Sequence, residues 1–300
     1  MGGLPSHVYL KEVGPRDGLQ NESQWISTDD KVAWINMLSE TGFREIEYSS
    51  FVHPKMIPAL KDAREVGRRI RRKEGVTYSA LVPNMKGLEH ALEAGIDGAS
   101  VFMSASETHN LKNINKSIDE TYPVLSEVIQ EAKHAGKEVT GYVSTVFDCP
   151  YEGRIAVEDV LRVCDQLIAS GVDYLSLGDT IGTAVPSQVE ALLEGLASYF
   201  SKDKLILHFH DTRGMAIANI MTSLHMGITR FDSTVGGLGG CPYAPGAAGN
   251  VATNDVLYLL NGLGIETGIS EKRIQEASIY IQNKLGTTLP SRSVAYLKNA

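Results

Sequence analysis

The sequence predicts an α/β chain folded as a (β/α)8 TIM barrel, and three observations carry that prediction. Short β-prone runs alternate with amphipathic helical stretches along nearly the whole chain, a pattern that implies a parallel sheet with right-handed crossovers. The helical stretches repeatedly end in Gly, and the next strand-like run begins at once. That is the mark of a left-handed C-cap turning the chain back toward the sheet. Eight such units in roughly 250 residues match the usual size of a closed barrel.

The strands are expected around residues 7–13, 44–50, 77–82, 98–104, 138–146, 173–178, 205–210 and 230–235. Their preceding reversal glycines include Gly42, Gly95, Gly136, Gly171 and Gly227. Helical periodicity places Val157, Val160, Leu161, Cys164, Leu167 and Ile168 on one face. It does the same for Val189, Leu192, Leu193, Leu196, Tyr199 and Phe200, and for Ile217, Ile220, Met221 and Leu224. A doubly wound open sheet is the alternative, but no GxGxxG follows the first strand to support it. Beyond about Gly264, the stretch Ser270 to Leu285 reads as extra helix packed on the outside. One domain over residues 1–300 is expected, with the barrel at about 7–264 and a C-terminal helical extension at about 265–300.

Composition narrows the function. With 43% apolar and 21% charged residues the chain is ordinary and globular. A formal net charge of −8 argues against general nucleic-acid binding, which needs basic excess to replace phosphate counterions. The one basic run, Gly67 to Lys73, reads as a solvated helix end. Three cysteines, Cys149, Cys164 and Cys241, form no CxxC pair and fit a reducing compartment. The first residues, Met1 to Ser6, resemble neither a secretory nor an organellar leader. No apolar run approaches membrane-spanning length. A soluble cytoplasmic protein is therefore expected.

Barrel function concentrates at the C-terminal ends of the strands, and unusual polar residues gather at those positions here. The first strand runs into Gly14-Pro15-Arg16-Asp17-Gly18-Leu19-Gln20. By composition this is a turn; by position it is a candidate site. On the seventh strand, His208 and His210 are two residues apart, so alternation points both into the barrel mouth. Two imidazoles in that register, beside Asp211, favour metal ligation over a satisfied core histidine. Glu47 and Asp179 end the second and sixth strands. Either is a candidate for chemistry or for an Arg anchor, and Asp179 is also placed to cap the next turn. After the eighth strand a Gly-rich loop, Gly236 to Asn250, holds Cys241 near its centre. A thiol there reads as a reactive group on a mobile flap, whereas Cys164 belongs to an apolar stripe and behaves as a small hydrophobe. Cys149 stands at a strand end and suggests neither role clearly.

The segments Gly14 to Gln20, His208-Phe209-His210-Asp211 and Gly237-Leu238-Gly239-Gly240-Cys241-Pro242-Tyr243 through Asn250 resemble the signatures of the 3-hydroxy-3-methylglutaryl-CoA lyase family. The Arg-Asp and His-x-His elements mark a wider superfamily of metal-dependent barrels. The Gly-Gly-Cys-Pro-Tyr loop is much more specific for the lyase. The resemblance runs from about Val8 to Gly268, and Ala248 is a small departure where many members carry Ser. It implies an acyl-CoA substrate cleaved to acetyl-CoA and acetoacetate by a retro-Claisen reaction, as in leucine degradation. It further implies a magnesium or manganese ion held by Asp17, His208, His210 and Asn250; a homodimer is one assembly open to the chain, whose oligomeric state the sequence does not fix. Arg16 and Gln20 are then expected to bind substrate, Arg16 also stabilising the enolate, with Cys241 as the acid. Glu47 is expected to orient Arg16. The base is either His208 or Asp179, and the sequence does not choose. Superfamily transferases that condense acetyl-CoA with a 2-keto acid, and pyruvate-type aldolases, are the rival readings.

Overall fold

The computed structural model describes residues 3–239 and 249–297. In chain order the first half holds β1 (Tyr9–Glu12), α1 (Thr28–Ser39), β2 (Glu45–Ser50), α2 (Ala63–Arg69), β3 (Thr77–Leu81), α3 (Met85–Glu93) and β4 (Gly98–Ser104). There follow α4 (Glu107–Ile114), α5 (Ile118–His134), β5 (Glu138–Ser144) and a small antiparallel hairpin of β6 (Asp148–Cys149) with β7 (Gly153–Arg154). The chain continues through α6 (Val157–Ser170), β8 (Tyr174–Asp179), α7 (Pro186–Leu196), β9 (Leu205–Phe209), α8 (Ala216–His225) and β10 (Arg230–Ser233). It ends with α9 (Thr253–Gly262), α10 (Glu271–Leu285) and α11 (Arg292–Leu297).

Eight of these strands close into a parallel barrel in the order β1-β10-β9-β8-β5-β4-β3-β2. All eight fall where the sequence places them. The five reversal glycines all have positive φ, between 70° and 110°, a region that L side chains rarely enter. The hairpin β6–β7 lay outside the sequence expectation because strands so short carry no usable periodicity, whereas α10 and α11 fall within the expected C-terminal helical extension.

The outward strand residues and the helices form one apolar layer. Val160, Val163, Cys164 and Leu167 of α6 are buried, as are Val189, Leu192, Leu193 and Leu196 of α7. Tyr199 departs from the expected stripe and is exposed, because α7 stops at Leu196 and the chain leaves the helical path before it. The extra helix α10 joins the ring beside α1. The Trp34 indole donates to the Ala277 carbonyl (3.1 Å), the Tyr280 hydroxyl donates to Asp30 (3.0 Å) and Lys284 pairs with Asp30 (2.7 Å). The basic run at the end of α2 is neutralised by surrounding acids. Arg64 and Arg68 meet Glu93, Arg69 meets Asp29 and Glu65, Arg72 meets Asp97, and Lys73 meets Glu40. The helix-end reading of that run therefore agrees with the structure.

The barrel interior is unusual in chemistry. Barrels of this type are commonly filled with branched apolar side chains. Here the inward positions carry Lys11, Glu45, Glu47, Ser79, Ser100, Tyr142, Ser176, His208 and Asp232, most of them buried. The N-terminal end is closed by stacking instead, with Arg44 and Arg230 over the Tyr9 ring and Arg230 also over Tyr174.

Cys164 tests the apolar layer. It has no exposed surface, and burial pushes its thiol up to about 12. Cys164→Ser is expected to lower unfolding stability by about 1–3 kcal/mol, the cost of a poorly paired buried hydroxyl. Urea denaturation measures it. Ligand binding at the barrel mouth should be unchanged.

Candidate active site at the barrel mouth

The chain leaves β1 in a tight turn, Gly14–Gly18, wound as one π-helical turn. The Val13 carbonyl accepts from the amides of Arg16 (3.1 Å), Asp17 (2.7 Å) and Gly18 (3.3 Å). The glycines are sterically required: a Cβ on Gly14 would overlap Glu12 Oε1, and one on Gly18 would press against Leu238 at 3.0 Å. The turn and the functional reading of this string thus coincide, because the turn brings Arg16 and Asp17 to the cavity.

Arg16 is held from three sides. Its Nε donates to Glu47 Oε2, its Nη1 donates to Asp17 Oδ1 (2.5 Å), and its guanidinium lies over the Tyr142 ring, 5.1 Å from the centroid. Glu47 is fully buried and also accepts from Ser100 Oγ (2.5 Å) and Tyr142 OH (3.3 Å), with Lys11 Nζ at 3.7 Å. A carboxylate so engaged is an anchor for Arg16, in agreement with the role expected from the sequence. Burial disfavours the Arg16 charge, but Glu47 and Asp17 outweigh it and keep the guanidinium protonated well above its ordinary range. The same contact works on Asp17. Burial pushes its carboxyl up, yet Arg16, His208 and His210 hold it down at about 2.

Ligand atoms of Asp17, His208 and His210 lie within 4.8 Å of one another. His208 sits on β9 facing the mouth, with Nε2 3.8 Å from Asp17 Oδ2 and Nδ1 3.1 Å from Asp232 Oδ2. Asp232, which the sequence reading passed over, also accepts from Ser176 Oγ (2.7 Å). His210 follows the last residue of β9 and forms an isolated antiparallel bridge with Asn250, which brings the fourth expected ligand in. The Asn250 amide nitrogen reaches Asp17 Oδ2 at 2.7 Å. Gln20 donates to Asp17 Oδ1 (2.8 Å) and lines the same cavity. Asp211 turns away to accept from the Ala216 amide (3.0 Å) at the start of α8, so it reinforces the helix and not the cluster.

Does this cluster fit a divalent cation? His210 Nδ1 is buried and has no hydrogen-bond partner among the described residues. Burial and the neighbouring His208 hold that ring down to about 4, in its neutral, ligating form. Inside the barrel, Lys11 meets Glu45 and Glu47, Arg16 meets Glu47 and Asp17, and Asp232 meets His208, so the carboxylates outnumber the lysine and arginine cations. Without compensation a buried charge excess is costly. Although burial opposes its charge, His208 is pushed toward protonation by Asp232 and Asp17; a divalent cation substitutes for that proton. Oxygen and imidazole donors together suit a hard-to-borderline ion. The residues fit.

Asp179 behaves differently. Its Oδ1 accepts from the Thr183 amide (3.1 Å) and its Oδ2 from the Ala184 amide (3.2 Å), so it caps the turn after β8. Burial pushes its carboxyl up to about 7 against those two hydrogen bonds. It does not line the cavity. Cys241 lies outside the described residues, as does most of its Gly-rich loop. Cys149 is buried with Sγ 3.0 Å from Ser106 Oγ. The cavity itself measures about 350 Å³. Its polar wall is the cluster above, and across the barrel Leu81, Phe102 and Val143 are apolar. Gly178, paired with His208 across β8 and β9, leaves space beside the imidazole.

Sequence reasoning missed Lys11, Tyr142 and Asp232. Lys11 and Asp232 were visible as charges at alternating positions of strands, but only the closed barrel shows that those positions converge. Tyr142 carries no comparable signal, since a strand tyrosine is ordinary.

Comparison with known proteins follows the geometry. The family model described as HMGL-like matches residues 7–281. Hydroxymethylglutaryl-CoA lyase of Bacillus subtilis is 54% identical over 99% of this chain and 99% of its own. The crystal structure of the Bacillus subtilis HMG-CoA lyase superposes with a TM-score of 0.98, covering 99% of this chain and 100% of that one. The cytoplasmic 3-hydroxy-3-methylglutaryl-CoA lyase of Rattus norvegicus is 46% identical over 97% of this chain and 85% of that one. An HMG-CoA lyase from Acinetobacter baumannii, solved with coenzyme A and 3-methylmalate, is 38% identical with a TM-score of 0.92, covering 97% and 95%.

The His208–Asp232 contact generates a test. A carboxylate on the far imidazole nitrogen fixes the tautomer and raises ligand basicity, and its loss commonly costs about 10–100-fold in metal affinity. Asp232→Asn is expected to weaken cation binding by that order in a calorimetric titration with manganese. Unchanged affinity would remove Asp232 from the site.

Proposed function

The chain belongs to the HMGL-like family, and from that membership we propose that it is a carbon–carbon lyase cleaving 3-hydroxy-3-methylglutaryl-CoA to acetyl-CoA and acetoacetate. The observation that carries this reading is whole-chain similarity to curated enzymes of that activity, on a barrel whose mouth assembles an Arg, a carboxylate and two imidazoles. The reaction serves leucine degradation and ketone-body-type metabolism. We read residues 1–300 as one catalytic domain and propose that it acts in the cytoplasm, as the name of the Rattus norvegicus relative has it for that enzyme; no described helix is long and apolar enough to cross a membrane. A homodimer is the assembly we propose.

Asp17, His208, His210 and Asn250 would hold the cation, magnesium or manganese. When bound, it acidifies the tertiary hydroxyl of the substrate as a Lewis acid. The chain's own residues supply the rest. A base takes the hydroxyl proton, the bond from the carbinol carbon to the thioester α-carbon breaks, and its electron pair passes into the thioester enolate. The carbinol carbon becomes the ketone of acetoacetate. Arg16, fixed by Glu47 and Asp17, presents a preorganised cation to the enolate oxygen. Gln20 steadies Asp17 and meets the substrate at the cavity wall.

The base is one of His208 and Asp179, and geometry favours neither. One ring nitrogen of His208 engages Asp232 and the other faces Asp17, so a ligating imidazole has no lone pair to spare. Asp179 is pushed up to about 7 by burial, but its two oxygens accept from the Thr183 and Ala184 amides and it stands off the cavity wall. Cys241 is assigned the final step on its sequence context: its thiol proton passes to the enolate carbon, giving the methyl group of acetyl-CoA.

Incubation with 3-hydroxy-3-methylglutaryl-CoA and magnesium, with acetoacetate as the readout, tests the function. Cleavage is expected, with loss on chelation and recovery with magnesium or manganese. Cys241→Ser should retain substrate and cation binding while kcat falls by about 10²–10⁴-fold, the usual worth of general acid catalysis. No acetoacetate from the wild type would sink the assignment, and normal turnover by Cys241→Ser would move the proton donor elsewhere.

A further inference from the structure

Glu12, the last residue of β1, is fully buried and faces none of the groups used above. Its Oε1 accepts from the Gly14 amide (2.8 Å) and from the Val235 amide (3.0 Å). Its Oε2 accepts from Thr253 Oγ1 (3.0 Å), which is 2.8 Å from Ser233 Oγ. The three donors belong to three separate segments. Gly14 opens the turn that presents Arg16 and Asp17. Val235 begins the loop after β10. Thr253 stands three residues beyond Asn250 and begins α9.

We propose that Glu12 is a positioning residue for the cation site, its one buried carboxyl group fastening the Arg16–Asp17 turn, the start of the loop after β10 and the segment carrying Asn250 to a common point. This rests on the divalent-cation reading above. Two backbone amides from different loops share a single oxygen, so neither loop shifts without breaking a buried hydrogen bond. The packing around this junction leaves no slack. A Cβ on Gly14 would overlap Glu12, a Cβ on Gly18 would press on Leu238, and one on Gly239 would come within 2.8 Å of the Asn250 amide. The Gly249 amide also donates to the Gly239 carbonyl (3.1 Å), tying the Asn250 segment to the start of the same loop.

The carboxyl acts through hydrogen bonds and not as a charge. Burial pushes it up to about 8, against the hydrogen bonds from Val235, Gly14 and Thr253. At neutral pH the group therefore holds its proton. With that proton on Oε2 the bond to Thr253 reverses direction, while Oε1 still receives both amides. A glutamine side chain reproduces this arrangement, with the amide oxygen toward Gly14 and Val235 and the amide nitrogen toward Thr253. Aspartate keeps the acid but is one methylene too short to reach.

Manganese binding by the substrate-free protein, followed through the EPR signal of the free ion, tests the role without reference to turnover. Glu12→Gln is expected to bind close to wild type. Glu12→Ala is expected to lose affinity by about 10–100-fold, the range for residues that orient metal ligands, and to fall in kcat as well. Glu12→Asp, which leaves a smaller void, should show the same loss if the alanine variant fails to fold. Wild-type affinity in a folded Ala or Asp variant overturns the proposal, as does a Gln variant that loses as much as Ala. A wild-type protein that binds no manganese overturns the cation reading itself, and this role with it.

Discussion

The structure depends on a charge network held inside the barrel and open at its mouth. Four carboxylates, Glu45, Glu47, Asp17 and Asp232, share their space with the two cations Lys11 and Arg16. Lys11 meets both Glu45 and Glu47, and Arg16 meets both Glu47 and Asp17, so Glu47 links the two cations. Lys11 illustrates the point: burial alone would strip its proton, yet Glu45 and the surrounding anions hold the ammonium well above its ordinary range. Such a network is costly to desolvate and is weak evidence for stability. Its value is in function. It fixes one guanidinium, leaves two imidazoles and a carboxylate converging, and presents a deficit of positive charge that a divalent ion satisfies.

The rest of the fold serves that arrangement. Strand register sets Lys11 beside Asp232 on one neighbour and beside Glu45 on the other, which fixes the level at which the charges meet. The pairing of Asp232 with His208 across β10 and β9 places the carboxylate behind the imidazole. The tight turn after β1 then carries the network to the cavity wall through Arg16 and Asp17, and its glycines permit the close approach. Stacking at the N-terminal end closes the opposite face, so the mouth is where the charged interior meets solvent. The apolar helical ring carries stability separately. That division lets the interior be polar without unfolding the chain.

The barrel was legible in the sequence because its signals are local. Gly171 and Gly227 announce their turns, Leu192 and Leu196 announce their helix face, and strand alternation puts His208 and His210 on one side. The cluster of Asp17, His208 and His210 was legible for the same reason, each standing at a strand end in an unusual string. What the sequence withheld is convergence. Nothing near Asp232 in the chain says that it backs His208, twenty-four positions away, and nothing near Glu12 says that it will collect two amides and a hydroxyl from three segments. Asp211 shows the converse error, since adjacency to His210 suggests a shared task while its carboxylate caps α8. Asp179 was readable both ways, and the structure gives it both properties: a capping geometry and a pKa near neutrality. Tyr199 failed because a periodic stripe does not reveal where its helix stops.

The central claim is that the charge deficit at the mouth is answered by one divalent ion bound through both imidazoles. Pulsed EPR on the substrate-free protein loaded with one equivalent of manganese measures this directly, through nitrogen couplings to the ion. The account requires couplings from two imidazoles, with His208→Ala and His210→Ala each removing one. Bound manganese without imidazole coupling in the wild type would contradict it.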